Sequence, residues 1–495
     1  MIKLRSKFKI PMILIIIAII LMILVGSIST FNAFGFSTPS FVLFGSIIIA
    51  VFLFLGIFSG LYFYLADVFL LYKPIRNFKG RLIRCGKKVM VVVFALIISL
   101  VTLLGTFIVY WTARIPPSYE VDPILQLQTW TAIPPGDDIT KQHKSNTDLF
   151  YWNGEFYVAY QSSKWHLQDL NGEIVVAKSS DASEGSWEEV ATIKGPGHND
   201  VRDPLIQDIG GMLFLYFLPN FQFDPEPNAT YYCSSLDGEN WSNPVEIYVN
   251  TSLSSGWELE NGWIFGRQEP LTLDNITWYT MASGEKDDKW VTILVETQDG
   301  INWKEVSVVY DTYGSGEACM EFLPSGEIIA TLRVSAMSSW TGYEFGTPHA
   351  GTIIATSCDN RTGWSYSPDF QTRMDGGKMF TLENRSRIFI AGRNHLGPRI
   401  DLGNHVSRKR TAIYEVLPDR LIHLFDLPSD GDTAYTGVVI NEGNVYVSYY
   451  TCPINHDLPW IIGITMLTKT EIRIARFSTT GLLQYATNIR GELGV

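Results

Sequence analysis

One unit recurs six times between residues 148 and 450: an apolar strand, a tight turn, and a second apolar or aromatic strand. The copies read DLFYWNGEFYVAY (148–160), DPLIQDIGGMLFLYF (203–217), EPLTLDNITWYTM (269–281), CMEFLPSGEIIATL (319–332), KMFTLENRSRIFIAG (378–392) and YTGVVINEGNVYVSYY (435–450). Alternating apolar residues around a short polar turn specify a hairpin. The copies start 50 to 66 residues apart, room for about four short strands each, which is the period of a β-propeller blade. One blade cannot bury both faces of its sheet, whereas blades stacked radially bury each other. The expected fold class is therefore all-β, a six-bladed β-propeller over 144–495. Residues 112–143, a linker, or the late strand EIRIARFS are available to close the ring.

The chain ahead of the repeats is of another kind. Residues 10–28, 41–66 and 89–111 are each apolar and long enough to cross a bilayer as a helix. Residues 1–114 hold twelve Lys or Arg against one acid, Asp67, which leaves the remainder at −23 within a total of −12. The basic residues cluster at Lys3–Lys9 and Lys73–Lys88, and the loop between the first two segments has none. That bias predicts a multi-pass cell-membrane anchor over 1–111, three transmembrane α-helices held by lipid, with a cytoplasmic N-terminus and the propeller outside. Asn-x-Ser/Thr triplets at Asn228, Asn240, Asn250, Asn275, Asn360 and Asn384, all in the acidic part, agree with an extracellular glycoprotein. An acidic propeller is a poor partner for nucleic acid. The cysteines (85, 233, 319, 358 and 452) are too far apart for a local zinc motif. They leave open both disulfides and buried thiols. No metal and no cofactor is expected.

Most copies are followed by a second hairpin ending in Trp: SSDASEGSW (Trp187), SSLDGENW (Trp241), ETQDGINW (Trp303) and TSCDNRTGW (Trp364). These resemble degenerate Asp-boxes, the turns of sialidases and related propellers, although Leu236 and Gln298 fall where the box Asp belongs. They read as fasteners of the fold, with no catalytic role.

The resemblance to the sialidase superfamily extends blade by blade over roughly 140–478. GEACMEFLPSGEIIATLR (316–333) is similar to the segment that carries the family's catalytic Glu and, sixteen residues on, an arginine of its carboxylate-binding triad. Those would be Glu317 and Arg333. DTAYTGVVINEGNVYVSYY resembles the segment of the Tyr nucleophile, which would be Tyr435, and QDLNGEIVVAKSSD that of the general acid, Asp169. By spacing, Lys144 stands where the family has its first arginine. Arg408 is the best match for the third, with Arg410 a close rival and Arg393 weaker. Arg202, Arg267, Glu269 and Lys378 open other blades and are expected to line the same funnel.

This resemblance implies hydrolysis of a terminal sialic acid or related acidic sugar on a glycan. A sugar with a carboxylate on its anomeric carbon repels an anionic nucleophile, so a phenol with a carboxylate base replaces the usual carboxylate. Two alternatives stand beside this. VRDP (201–204) also resembles furanosidases, where Asp203 would matter to catalysis. A propeller that only binds glycan or protein would tolerate the missing first arginine.

Overall fold

The computed structural model describes Ser99, Thr102 and residues 121–495, apart from 168, 199, 221–228, 252–261, 287–288, 313–314, 335–350, 359–360, 370–372, 397–407 and 456. The expected membrane segments 10–28 and 41–66, and all of 89–111 except Ser99 and Thr102, lie outside the described residues. No helix among the described residues is long and apolar enough to cross a membrane. The chain divides into two compact units, Met1–Ala113 and Arg114–Val495. The second holds every described strand.

Those strands form six antiparallel-rich sheets arranged as propeller blades. A first strand, β1 (Gln128–Ile133), belongs to the last blade. Blade one is β2 (His143–Trp152), β3 (Glu155–Ser163), β4 (Glu173–Ser179) and β5 (Glu188–Lys194). Blade two is β6 (Asp200–Ile209), β7 (Met212–Asn220), β8 (Tyr231–Ser235) and β9 (Val245–Glu246). Blade three runs from β10 (Tyr248–Asn250) through β11 (Ile264–Phe265), β12 (Leu271–Thr272), β13 (Trp278–Lys286) and β14 (Lys289–Thr297) to β15 (Asn302–Tyr310). Blade four is β16 (Ser315–Phe322), β17 (Ile328–Val334), β18 (Thr352–Ser357) and β19 (Trp364–Asp369). Blade five is β20 (Asp375–Leu382), β21 (Arg387–Leu396), β22 (Arg408–Leu417) and β23 (Arg420–Leu427). Blade six is β24 (Thr433–Asn441), β25 (Asn444–Thr451) and β26 (Glu471–Ser478), and β1 pairs with β26 to complete it. Both candidate segments thus close the ring together, the early strand against EIRIARFS. The six sequence hairpins are the inner hairpins of the six blades.

The buried apolar residues fall into clusters that each join two neighbouring blades. Along β16, Met320 faces blade three among Met281 and Leu294, while its neighbour Cys319 faces blade five among Met374 and Met379. Side chains alternate across a strand, so an inner strand apolar on both faces serves two interfaces at once. The last cluster, with Leu149 and Phe156 against Tyr435, Tyr446 and Tyr450, seals blade six to blade one.

The Trp hairpins act as fasteners. In three of them an Asp caps the turn: Asp181 Oδ1 accepts from the amide of Ser183, Asp237 Oδ1 from those of Glu239 and Asn240, and Asp299 Oδ1 from those of Ile301 and Asn302. Trp241 and Trp303 then close back on the carbonyls of Gly238 and Gly300. Cys233, Cys319, Cys358 and Cys452 are free thiols, so among the described residues the blades are joined by packing and hydrogen bonds, without disulfides.

One buried acid makes stability depend on pH. Glu321 on β16 is withdrawn from water, and burial, then the charge of Glu269, push its carboxyl up to about 8. A carboxyl whose folded pKa is raised favours the fold while protonated, and that contribution fades as pH rises from the ordinary carboxylate range through about 8. Glu321→Gln should therefore melt close to wild type at about pH 4 and above wild type at about pH 9, read by thermal unfolding.

Candidate active site

Five inner strands share one irregularity. On β2, β6, β16, β20 and β24 one extra residue is inserted against the neighbouring strand, between Ser145 and Asp148, Arg202 and Leu205, Gly316 and Cys319, Asp375 and Lys378, and Ala434 and Gly437. The residue after each break takes a left-handed backbone: Asn146 (φ 51°), Asp203 (55°), Glu317 (44°), Gly376 (56°) and Tyr435 (47°). A bulge re-aims the side chain it carries. Holding a non-glycine residue there costs about 1–3 kcal/mol, a strain that gathers at functional sites. Blade three instead breaks its inner strand between β11 and β12, and Arg267 lies in the gap. Equivalent positions on the six blades thus supply, in order, an amide, an acid, an arginine, an acid, a glycine and a phenol.

They meet. Tyr435 Oη donates to Glu317 Oε1, and so does Arg333, which stands on β17 opposite Gly316. The other oxygen, Glu317 Oε2, accepts the Gly376 amide at 2.7 Å. Glycine is required there, because a Cβ would sit 2.4 Å from the Tyr435 ring at a positive φ. The Arg267 and Arg393 guanidinium groups each lie 5.1 Å from the centroid of the Tyr435 ring. Arg393 is fixed by the Thr433 carbonyl (2.8 Å), Tyr450 Oη (3.0 Å) and Asp375 Oδ2 (3.4 Å). Arg373 grips the same Asp375 with two hydrogen bonds, 2.7 and 2.9 Å.

Electrostatics separates the acids and the phenol. Burial, and then the charge of Glu317, hold the Tyr435 hydroxyl well above its usual range, against the pull of Arg333 and Arg393. The phenol is therefore neutral at rest, and the carboxyl group in contact with it is that of Glu317. Burial also raises the carboxyl of Asp203, and Arg267 and Glu317 act on it in opposite directions. Asp203 Oδ1 lies 3.6 Å from Arg267 Nη1 without a directed hydrogen bond. Elsewhere in the channel wall Lys378 reaches Asp148 (2.8 Å) and Glu269, tying blades one, three and five together. Two of the four funnel-lining residues thus serve as internal ties.

Several residues singled out by the sequence lie elsewhere. Lys144 is buried within blade one, donating to Ser162 (2.8 Å) beside the Tyr160 ring. The bulge residue of β2 is Asn146, two positions on, so a register read from spacing alone misses it. Asp169 accepts the amides of Lys164 (3.0 Å) and Asn171 (3.1 Å) within its own loop and is a turn cap. Arg408 and Arg410 both bind Asp457, at 2.9 and 2.6 Å. The arginine that reaches Tyr435 from blade five is Arg393. Arg202 approaches the site with its charge held by Asp200, 2.9 Å from Nε.

No protein-family profile matches the sequence, and no curated protein matches it. Solved structures do match. A Dyadobacter fermentans protein of unknown function is 16% identical with a TM-score of 0.52, over 71% of this chain and 99% of that one. Trypanosoma rangeli sialidase, in complex with the inhibitor DANA, is 10% identical with a TM-score of 0.54 over 73% of this chain. This chain spans only 61% of that structure. Penicillium chrysogenum α-L-arabinanase, complexed with arabinobiose, has 13% identity and a TM-score of 0.47, over 70% and 97%. The propeller fold is one that glycoside hydrolases use. At these identities the likeness speaks for fold alone.

Proposed function

We propose that the chain is a glycoside hydrolase that removes a terminal acidic sugar, of the sialic acid kind, from a glycan through a tyrosyl intermediate. The observation that carries this reading is the Tyr435 hydroxyl bonded to Glu317 beside Arg267, Arg333 and Arg393. A phenol paired with its own base is superfluous to packing, and arginine forks suit a substrate carboxylate. As Tyr435 Oη forms its bond to the anomeric carbon, its proton passes to Glu317 and the bond to the leaving oxygen breaks. Asp203, whose carboxyl burial raises above its usual range, gives that oxygen its proton in this reading, the role first given to Asp169. It then takes a proton from the water that releases the sugar, and Glu317 returns the phenol its own. The three apolar segments of 1–111 support a membrane-anchored enzyme with the propeller outside.

A second reading is favoured by Asp203 and Glu317 occupying equivalent bulges. In it the two carboxylates are the reacting pair, and Tyr435 only orients Glu317. Turnover of an aryl sialoside by the full chain, compared with that of Tyr435→Phe, separates the two. A wild-type protein that binds glycan without turnover is a receptor instead.

A further inference from the structure

Three side chains converge from two blades beside the groups above. His143 opens β2, His166 lies in the loop after β3, and Asp432 immediately precedes β24. His143 Nε2 lies 3.2 Å and His166 Nδ1 2.8 Å from the same atom, Asp432 Oδ2. The three atoms fall within 4.8 Å of one another. His143 and Asp432 are wholly buried, and the His166 side chain is 15% exposed. Each His–Asp contact is within hydrogen-bond distance, and both imidazoles act on the Asp432 carboxylate. Their alignment is poor, so both ring nitrogens of His143, Nδ1 of His166 and Oδ2 of Asp432 are left without a well-directed hydrogen bond. Buried polar atoms left in that state are costly and rare. One cation at the point of convergence satisfies three of the four.

We propose that His143 Nε2, His166 Nδ1 and Asp432 Oδ2 hold a divalent transition-metal ion, zinc by its donor set, that clasps the first blade to the last. Two imidazoles and one carboxylate are too rich in nitrogen for calcium or magnesium, which take oxygen ligands. Zinc accepts this set, with bonds of about 2.0–2.1 Å that place neighbouring tetrahedral ligands roughly 3.3 Å apart. The observed 3.2 and 2.8 Å separations are near that geometry, while the two imidazole nitrogens, within 4.8 Å of each other, must draw together by roughly 1.5 Å on binding, a movement the His166 loop can supply. Water completes the fourth position.

A supporting shell is already in place. Asp432 Oδ1 accepts from Tyr450 Oη and Trp460 Nε1, each at 2.9 Å. Partners of this kind fix the orientation of a ligating carboxylate. Arg393 lies 3.5 Å from that same oxygen and opposes the ion with its charge, part of which Asp375 offsets. The β1–β26 pairing closes the ring at its outer edge, and the ion closes it at the inner rim, three residues ahead of Tyr435. The site requires nothing of the hydrolase reading and stands or falls without it.

The test uses the full chain purified in detergent, stripped with a chelator and dialysed, with zinc chloride as the probe. About one zinc per chain should be regained, with a higher melting temperature than the stripped protein. Changes to supporting groups alone cost roughly 10–100-fold in metal affinity, so His166→Ala should lose at least about a hundredfold. That side chain sits on a loop, and an unchanged circular dichroism spectrum will show that the variant folds. Cobalt in place of zinc should give visible absorption bands that the variant lacks. No zinc bound above background, a melting temperature indifferent to zinc, or undiminished zinc in His166→Ala would each overturn the clasp.

Discussion

Tyr435→Phe should lower kcat/KM for an aryl sialoside by at least about a hundredfold, while binding of the free sugar acid stays near wild type. The substitution removes one oxygen and keeps a ring that packs between Arg267, Arg393 and the blade-six core. Volume-conserving changes of this sort cost little stability, so the loss should be chemical. Glu317 keeps its bonds to Arg333 and the Gly376 amide, and the substrate carboxylate keeps its arginines. What disappears is the only atom the mechanism joins to the sugar. Steady-state kinetics with calorimetry of acid binding reads both quantities. Under the two-carboxylate alternative the variant would lose a hydrogen bond and remain within about tenfold of wild type.

Arg393→Lys should have the next largest effect, and mainly on KM. The guanidinium is held by Thr433, Tyr450 and Asp375, so it is oriented before substrate arrives. Lysine keeps the charge and loses the fork. A charge-assisted hydrogen bond is worth about 1.5–3 kcal/mol, so kcat/KM should fall roughly 10–150-fold. Arg408→Lys is the control. Its partner is Asp457, and kinetics within about twofold of wild type are expected, whatever happens to stability. Parity between the two variants would return the third arginine to the VSRKR segment.

The propeller was legible because hairpin alternation and turn residues are local, and six copies at similar spacing leave few other ways to bury so many two-faced strands. Glu317, Arg333 and Tyr435 were singled out by the resemblance to the sialidase superfamily, and the structure brings their side chains together; each lies within or beside one hairpin. Bulges were not legible. One inserted residue changes which side chains face the channel, and nothing in HKSNTDL marks the break after Ser145 that makes Asn146 the counterpart of Glu317. Spacing alone misplaces Lys144 for that reason. Arg393 ranks low in the sequence because it closes an inner hairpin, yet Arg333 does the same: each pairs with the residue just before its blade's bulge, Asp375 and Gly316. Aligning the fourth and fifth copies by their turns finds it. Asp169 shows the converse, an acid in a turn doing what acids in turns do. The convergence of His143 and His166 on Asp432 had no signal at all, because ring closure brings it together from the two ends of the propeller.

The most direct measurement is the mass of the enzyme after reaction with a fluorinated sialosyl fluoride, which forms the glycosyl–enzyme bond quickly and breaks it slowly. The tyrosyl mechanism predicts a single sugar adduct, mapped by peptide sequencing to Tyr435 and absent from Tyr435→Phe. An adduct on Asp203 or Glu317 would contradict it in favour of carboxylate chemistry. No adduct, from a protein that also fails to turn over an aryl sialoside, would contradict the enzyme itself.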